Sequence, residues 1–337
     1  MHEALFYEHR GDTAVRCGLC PHACLIADGR RGLCGVRENR GNTLYSLVYG
    51  RAIAEHADPI EKKPLFHVLP GSRSYSIATA GCNLSCRHCQ NADIAHLPRS
   101  GSVPATPLRS PEHIVAAAVA SGCSTIACTY TEPTVYFEYA LDIAACARSA
   151  GLKTVFVTNG YIAPAAIEAI APVLDAANID LKALSDDFYR DVCAARLQPV
   201  LDAIRTYHQS GVWIEITTLI IPGLNDSPDE LKQAADFIVS VGEDIPWHVS
   251  AFYPAYRMTD RPPTPVAALL AAREIGLAAG LRYVYTGNIP GHGGEDTNCP
   301  MCNALLIQRR GYSIAANTLR NGLCPACSAP CAGIFNE

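Results

Sequence analysis

The chain has 337 residues, 49% of them hydrophobic and 18% charged, with a formal net charge of -5. That length and apolar content suit one large domain with small appendages, and the weak acidity argues against a general nucleic-acid or membrane-surface binder. Residues 1–10 carry no apolar export segment and no run is long enough to span a bilayer, so the grouped cysteines among the sixteen read as metal ligands of a cytoplasmic protein and not as secreted disulfides.

Twelve of the cysteines fall into three tight groups. The first is Cys17, Cys20, Cys24 and Cys34, spaced by two, three and nine residues in a segment rich in Gly and Arg. Such a segment cannot build a hydrophobic core by itself, and a structural metal is the expected substitute. Zinc and a second iron-sulfur cluster both satisfy the spacing. Residues 44–71 form a connector whose centre, Asp58 to His67, is dense in charge and reads as a solvated loop that can lie over a site.

A strand is expected at 74–79, leading into Ala80-Gly81-Cys82-Asn83-Leu84-Ser85-Cys86-Arg87-His88-Cys89-Gln90-Asn91. Three thiolates in one short loop can hold three irons of a 4Fe-4S cube, leaving the fourth iron open to a ligand. The alternative is a zinc site, although zinc favours paired Cys-x2-Cys knuckles and a fourth ligand nearby. The Cys-x3-Cys-x2-Cys spacing with an aromatic residue, His88, before the last cysteine resembles the signature of the radical S-adenosylmethionine (SAM) superfamily. The resemblance implies that Cys82, Cys86 and Cys89 bind the cluster. It also implies that SAM chelates the open iron, and that its reductive cleavage yields a 5'-deoxyadenosyl radical.

Beyond the loop, β-branched runs alternate with Ala-rich stretches, the pattern of a parallel sheet with crossover helices. Strands are expected at 124–130, 153–157, 176–182, 212–221, 248–252 and 282–285. Helices are expected at 111–121, 135–150, 164–173, 187–209, 228–241 and 265–279. Pro111, Pro228 and Pro265 stand near helix starts, where a missing amide costs nothing. Six βα units predict a partial (β/α)6 TIM-like barrel, the fold that radical SAM enzymes resemble. Its boundaries are expected at 72–286, between a cysteine-rich segment at 1–71 and a small module at 287–337. Cys123, Cys128, Cys146 and Cys193 read as buried small hydrophobes.

In parallel α/β folds the chemistry collects at the carboxyl ends of the strands. Polar residues recur there: Thr129 to Pro133, Thr158-Asn159-Gly160, Asp180-Leu181-Lys182, then Glu215, Thr217 and Thr218, and finally His248. Thr131-Glu132-Pro133 resembles the end of the Gly-Gly-Glu-Pro motif of glycyl-radical activating enzymes, typified by the pyruvate formate-lyase activating enzyme, where the carboxylate holds the SAM ammonium. Asp180 and Lys182 resemble that group's Asp-x-Lys pair. The SAM-binding set implied is therefore His88, Thr131, Glu132, Asn159, Asp180, Lys182, Thr217 and His248, with no catalytic residue beyond the cluster. Four positions depart from the activase pattern: Tyr130 and Thr131 replace the paired glycines, Thr217 stands for an arginine, and Val157 for an acidic residue.

Cys299, Cys302, Cys324 and Cys327 have the two-knuckle spacing of a rubredoxin-like or zinc-ribbon module for zinc or iron, with Cys331 as an extra thiol. Residues 287–294 read as a flexible linker to it. Together, Cys17 to Pro21, Asp58 to Pro64, Gly81 to Asn83, Thr129 to Pro133, Pro246 to His248 and Thr297 to Cys302 resemble the AmmeMemoRadiSam-system radical SAM enzymes. That likeness implies SAM, a 4Fe-4S cluster, a flavodoxin- or ferredoxin-type reductant, and Memo-type and AMMECR-type protein partners. The alternatives are an activase and, outside enzymology, an electron-transfer or assembly module.

Overall fold

The computed structural model describes residues 1–97, 102–289, 291 and 293–335. Upstream, β1 (His2–Glu3), β2 (Tyr7–Arg10), β3 (Ala14–Cys17), β4 (Leu25–Ala27), β5 (Arg37–Arg40) and β6 (Thr43–Ser46) make two antiparallel sheets, ordered β2-β3-β4 and β1-β6-β5. The central sheet has eight strands in sequence order. They are β7 (Ala54–Pro59), β8 (Arg73–Ala78), β9 (Thr125–Cys128), β10 (Lys153–Thr158), β11 (Ala176–Asp180), β12 (Trp213–Ile220), β13 (Trp247–Ala251) and β14 (Val284–Gly287). From β8 to β14 every pairing is parallel, while β7 runs antiparallel along the edge.

The connecting helices are α1 (Ala92–Ala95), α2 (Pro111–Ala120), α3 (Phe137–Ser149), α4 (Pro164–Ile170), α5 (Asp186–Phe188), α6 (Gln198–Gln209), α7 (Pro228–Val241) and α8 (Val266–Ala278). Ser110 and Ser227 cap α2 and α7, accepting from the amides of His113 and Glu230 just ahead of Pro111 and Pro228. Strands such as β9, whose residues are all buried, read as unbroken apolar runs because helices cover one face and the site the other. Gly276 in α8 sits where a Cβ would come within 2.9 Å of the Trp247 ring, so the helix lies close on the sheet. Among the described residues no helix is long and apolar enough to cross a membrane.

Three expectations need correction. The helix expected over 187–209 is broken into α5, a π-helical turn at Tyr189–Cys193, a left-handed residue at Ala194 (φ 57°), and α6. The break turns the carbonyls of Val192 and Cys193 toward the cysteine loop, where they accept from the amides of Arg87 and Ser85 at 2.9 Å. A continuous helix would have spent those carbonyls internally. Second, the charge-dense connector is not a solvated loop. Asp58 ends in β7, Glu61 and Lys63 are buried, the latter against Asp58, and His67 is buried against the carboxyl-terminal module.

That module is a three-stranded sheet of β15 (Thr297–Asn298), β16 (Leu305–Arg310) and β17 (Ser313–Asn317). Arg309 stacks its guanidinium 4.3 Å from the Phe66 ring centre and donates to the Phe66 carbonyl and to Thr297 Oγ1. His67 donates through Nδ1 to the Ala332 carbonyl and accepts at Nε2 from the Tyr285 hydroxyl. Third, residues read as a flexible linker pack back on the sheet: the Thr286 amide donates to the Gly294 carbonyl, and Gly287 abuts Ser250. Pro290 and His292, within that expectation, lie outside the described residues.

Candidate active site and metal centres

Side chains alternate faces along a strand, so residues two apart on β11, β12 and β13 point the same way. The parallel register sets Asp180 beside Thr217, and Thr217 beside His248. With the loops that follow β8, β9 and β10, they enclose a cavity of about 510 Å³, within the size range of small-molecule sites. Cys82, Cys86, Cys89, His88, Thr131, Glu132, Asn159, Asp180, Lys182, Thr217 and His248 all line it. Residues scattered over more than 160 positions thus meet at one rim.

The cysteine loop leaves β8 through Gly81, whose φ of 100° suits glycine. A Cβ there would come within 2.7 Å of Val36 Cγ1 and 3.0 Å of the Cys34 carbonyl. Cys82 Sγ accepts from the Leu84 amide at 3.4 Å and from Asn159 Nδ2 at 3.7 Å. The Cys193 thiol donates to Cys86. Together with the Lys182 ammonium, and against burial, it holds Cys86 below the ordinary thiol range. Burial and the Glu132 carboxylate push Cys82 upward, a penalty that a bound cation reverses. Three inward-facing thiols with N–H donors at sulfur fit a metal-cluster ligand set.

Glu132 is buried, with Oε1 accepting from the amide and hydroxyl of Thr134 and from Thr158, and Oε2 accepting from the Asn159 amide at 2.8 Å. Oε2 therefore retains acceptor capacity toward the cavity. Burial raises the Glu132 carboxyl above the usual carboxylate range, against the pull of these donors. Thr131 Oγ1 donates to the Thr79 carbonyl. Lys182 Nζ lies 2.8 Å from Asp180, and burial, which would lower its pKa, is outweighed first by Asp180, so it stays a cation. His88 is neutral, its pKa lowered to about 3 by burial and then by Lys182, and its Nδ1 has no hydrogen-bond partner. An unpaired polar atom in a cavity wall suits a bound organic ligand.

His248 Nε2 donates to Glu215 Oε2 at 2.6 Å, and Glu215 also accepts from the amides of Phe66 and His67. Sequence reasoning placed Glu215 among rim residues but not in the ligand set, and it supports the set from below. Three participants were missed. Tyr130, with φ of 63°, keeps the left-handed backbone that glycine would supply, and its hydroxyl donates to Asp58. Lys63 lies 4.8 Å from the Tyr130 ring centre and donates to Asp58 at 2.8 Å, inside the segment read as solvated. Cys193, read as an inert hydrophobe, touches a candidate ligand. Its only local signal is a cysteine in a helical pattern, which carries no position.

The sulfurs of Cys299, Cys302, Cys324 and Cys327 lie within 4.8 Å of one another, with 3.6 Å between Cys299 and Cys327 and 3.7 Å between Cys302 and Cys324. Metal–sulfur bonds of about 2.3 Å in a tetrahedron give edges of roughly 3.8 Å, so this group fits one zinc or iron ion. Cys331 stands aside, accepting from the Tyr283 hydroxyl at 3.7 Å. Cys17, Cys20, Cys24 and Cys34 line a common void near Asn83 without gathering at that spacing.

The radical SAM superfamily model matches residues 76–238. An uncharacterised protein of Methanocaldococcus jannaschii is 46% identical over 310 residues, covering 92% of each chain. The pyruvate formate-lyase-activating enzyme of Clostridium pasteurianum is 23% identical over 184 residues, 53% of this chain and 76% of its own. SuiB of Streptococcus suis, solved with its precursor peptide SuiA, superposes with a TM-score of 0.51 at 14% identity, over 68% of this chain and 51% of that one, a likeness of fold. With its parallel-rich α/β sheet and its cysteine loop at the strand ends, the chain belongs to the radical SAM superfamily.

Proposed function

We propose that this protein cleaves SAM reductively at a 4Fe-4S cluster held by Cys82, Cys86 and Cys89, and abstracts hydrogen from a protein or small-molecule substrate at the mouth of an open (β/α)6 barrel. The observation that carries the reading is the single cavity shared by those three thiols and the carboxylate, ammonium and imidazole groups around them. When bound, the cluster supplies the electron that breaks the sulfonium C–S bond, giving methionine and a 5'-deoxyadenosyl radical. Glu132 Oε2 accepts from the SAM ammonium, and the donors already on Glu132 fix its rotamer. Lys182 keeps its charge beside Cys86. His88, neutral and buried, packs by the adenine, while Asp180, Thr217 and His248 line the same cavity with Thr131 and Asn159.

An activase role is the second reading, favoured by the similarity to the C. pasteurianum enzyme. Tyr130, which retains the turn where that group has glycine, narrows the cavity with a side chain. The carboxyl-terminal thiols are read as a structural zinc site. The wider reading includes a ferredoxin- or flavodoxin-type reductant, Memo-type and AMMECR-type partners, and a cytoplasmic setting.

The test is anaerobic reconstitution, reduction with dithionite, addition of SAM, and quantification of 5'-deoxyadenosine and methionine. Wild-type protein is expected to form both, and Cys86→Ala neither. A fully loaded wild-type cluster that leaves SAM intact would overturn the reading in favour of an electron-transfer module.

A further inference from the structure

We propose that Cys17, Cys20, Cys24 and Cys34 hold a second 4Fe-4S cluster, not a zinc ion. The chain contains its own reference for a single tetrahedral ion: at the carboxyl-terminal knuckles, four sulfurs close to within 4.8 Å of one another. The amino-terminal four do not converge in that way. They stand around a void whose remaining walls are mainly apolar, including Leu19, Ile26 and Val135. A cube of four irons and four sulfides needs this arrangement, because iron and sulfide stand between each pair of thiolates, whereas a single ion draws its ligands together.

A second observation points to an occupant with acceptor atoms. Arg37 also lines the void and is only 2% exposed. Its Nη atoms bond to Glu138 and to the Leu5 carbonyl, yet its buried Nε has no partner. An unpaired guanidinium N–H is costly in an apolar wall. Bridging sulfides and thiolates accept such a hydrogen bond and carry the negative charge that Arg37 complements, as hydrogen bonds to cluster sulfurs generally do. The Leu33 amide, 3.5 Å from Cys24 Sγ, adds a donor of the same kind.

The site is also tied to the cavity. His22, in the void wall, hydrogen-bonds the Asn83 carbonyl at 2.7 Å, and the Cys34 carbonyl packs on Gly81. Asn83 itself lines the void and adjoins Cys82. The second cluster would therefore sit against the loop that carries the first set of thiols.

The test counts acid-labile sulfide and zinc per chain in protein loaded anaerobically with iron and sulfide. Wild-type protein is expected to hold about eight sulfides, the content of two cubes. The Cys82→Ala/Cys86→Ala/Cys89→Ala triple variant is expected to keep about four, with the Mössbauer doublet of a cubane cluster. Cys20→Ser/Cys34→Ser is expected to lose about four sulfides and no zinc. A triple variant without sulfide, or a Cys20→Ser/Cys34→Ser variant that loses one zinc and no sulfide, would overturn the proposal. Should the latter variant not fold, the wild-type and triple-variant counts still decide. The outcome is separable from the SAM reading, because the triple variant reports this cluster without the three cavity thiols.

Discussion

Asn159 Nδ2 lies 2.9 Å from Asn83 Oδ1 and 3.7 Å from the Cys82 sulfur, so the end of β10 clamps the cysteine loop from the side. Asn159→Ala leaves the buried Asn83 oxygen without that donor, a loss of about 1–3 kcal/mol. Urea melts of the loaded protein are expected to shift to a lower midpoint, and 5'-deoxyadenosine yield to fall with iron content.

Glu132→Gln preserves shape but replaces one carboxylate oxygen with a donor. SAM affinity is expected to drop about tenfold to a hundredfold, the scale of one charge-assisted hydrogen bond. Calorimetry reads the affinity, and an unchanged sulfide count shows that the cluster is intact. Equal affinity in the variant would remove Glu132 from the SAM site.

Gly81→Ala forces a side chain into a backbone at φ of 100° and toward Val36 and the Cys34 carbonyl. The strain is about 1–3 kcal/mol. The expected result is a lower melting midpoint and slower cluster loading, compared with Gly122→Ala, where φ is also positive but no atom lies within 4 Å.

Glu215 is buried, and burial alone would raise its pKa, but His248 and the donors around it outweigh that and hold it below the ordinary range. A carboxylate depressed in the folded state contributes stability that is fully present above its unfolded pKa of about 4.3 and is lost as pH falls through the folded value. Wild-type unfolding free energy is therefore expected to decline below about pH 4.3, and Glu215→Gln to show a shallower decline. Denaturant melts from pH 7 to pH 3 measure both slopes, provided loading is verified at each pH.

If the carboxyl-terminal thiols hold the proposed ion, its removal with a chelator is expected to lower the melting midpoint by roughly 5 °C or more, because the small sheet has little core of its own. Cys331→Ala should leave metal content unchanged, since its sulfur bonds Tyr283 and lies outside the four-sulfur group. Loss of the metal in Cys331→Ala would make it a ligand.

Strand positions were readable because parallel strands buried on both faces leave short β-branched runs, and helix starts because Pro111, Pro228 and Pro265 stand near them. The break between α5 and α6 was not readable: its cause is a pair of hydrogen bonds to Ser85 and Arg87, about a hundred residues upstream. Likewise Lys63 and His67 looked solvated because their charges and polarity are local, while their partners, Tyr130 on one side and Tyr285 and Ala332 on the other, are distant.

The sequence by itself determined which atoms are candidates to carry the chemistry, since thiol spacing within one loop is a local property of the chain. Only the tertiary structure decided which of them meet. It brought Glu132, Asp180, Lys182 and His248 to the same rim as Cys82, seated Glu215 beneath His248, and set one group of four sulfurs at the spacing of a single ion and another around a void. Those outcomes depend on strand register and long-range packing, which no local spacing encodes.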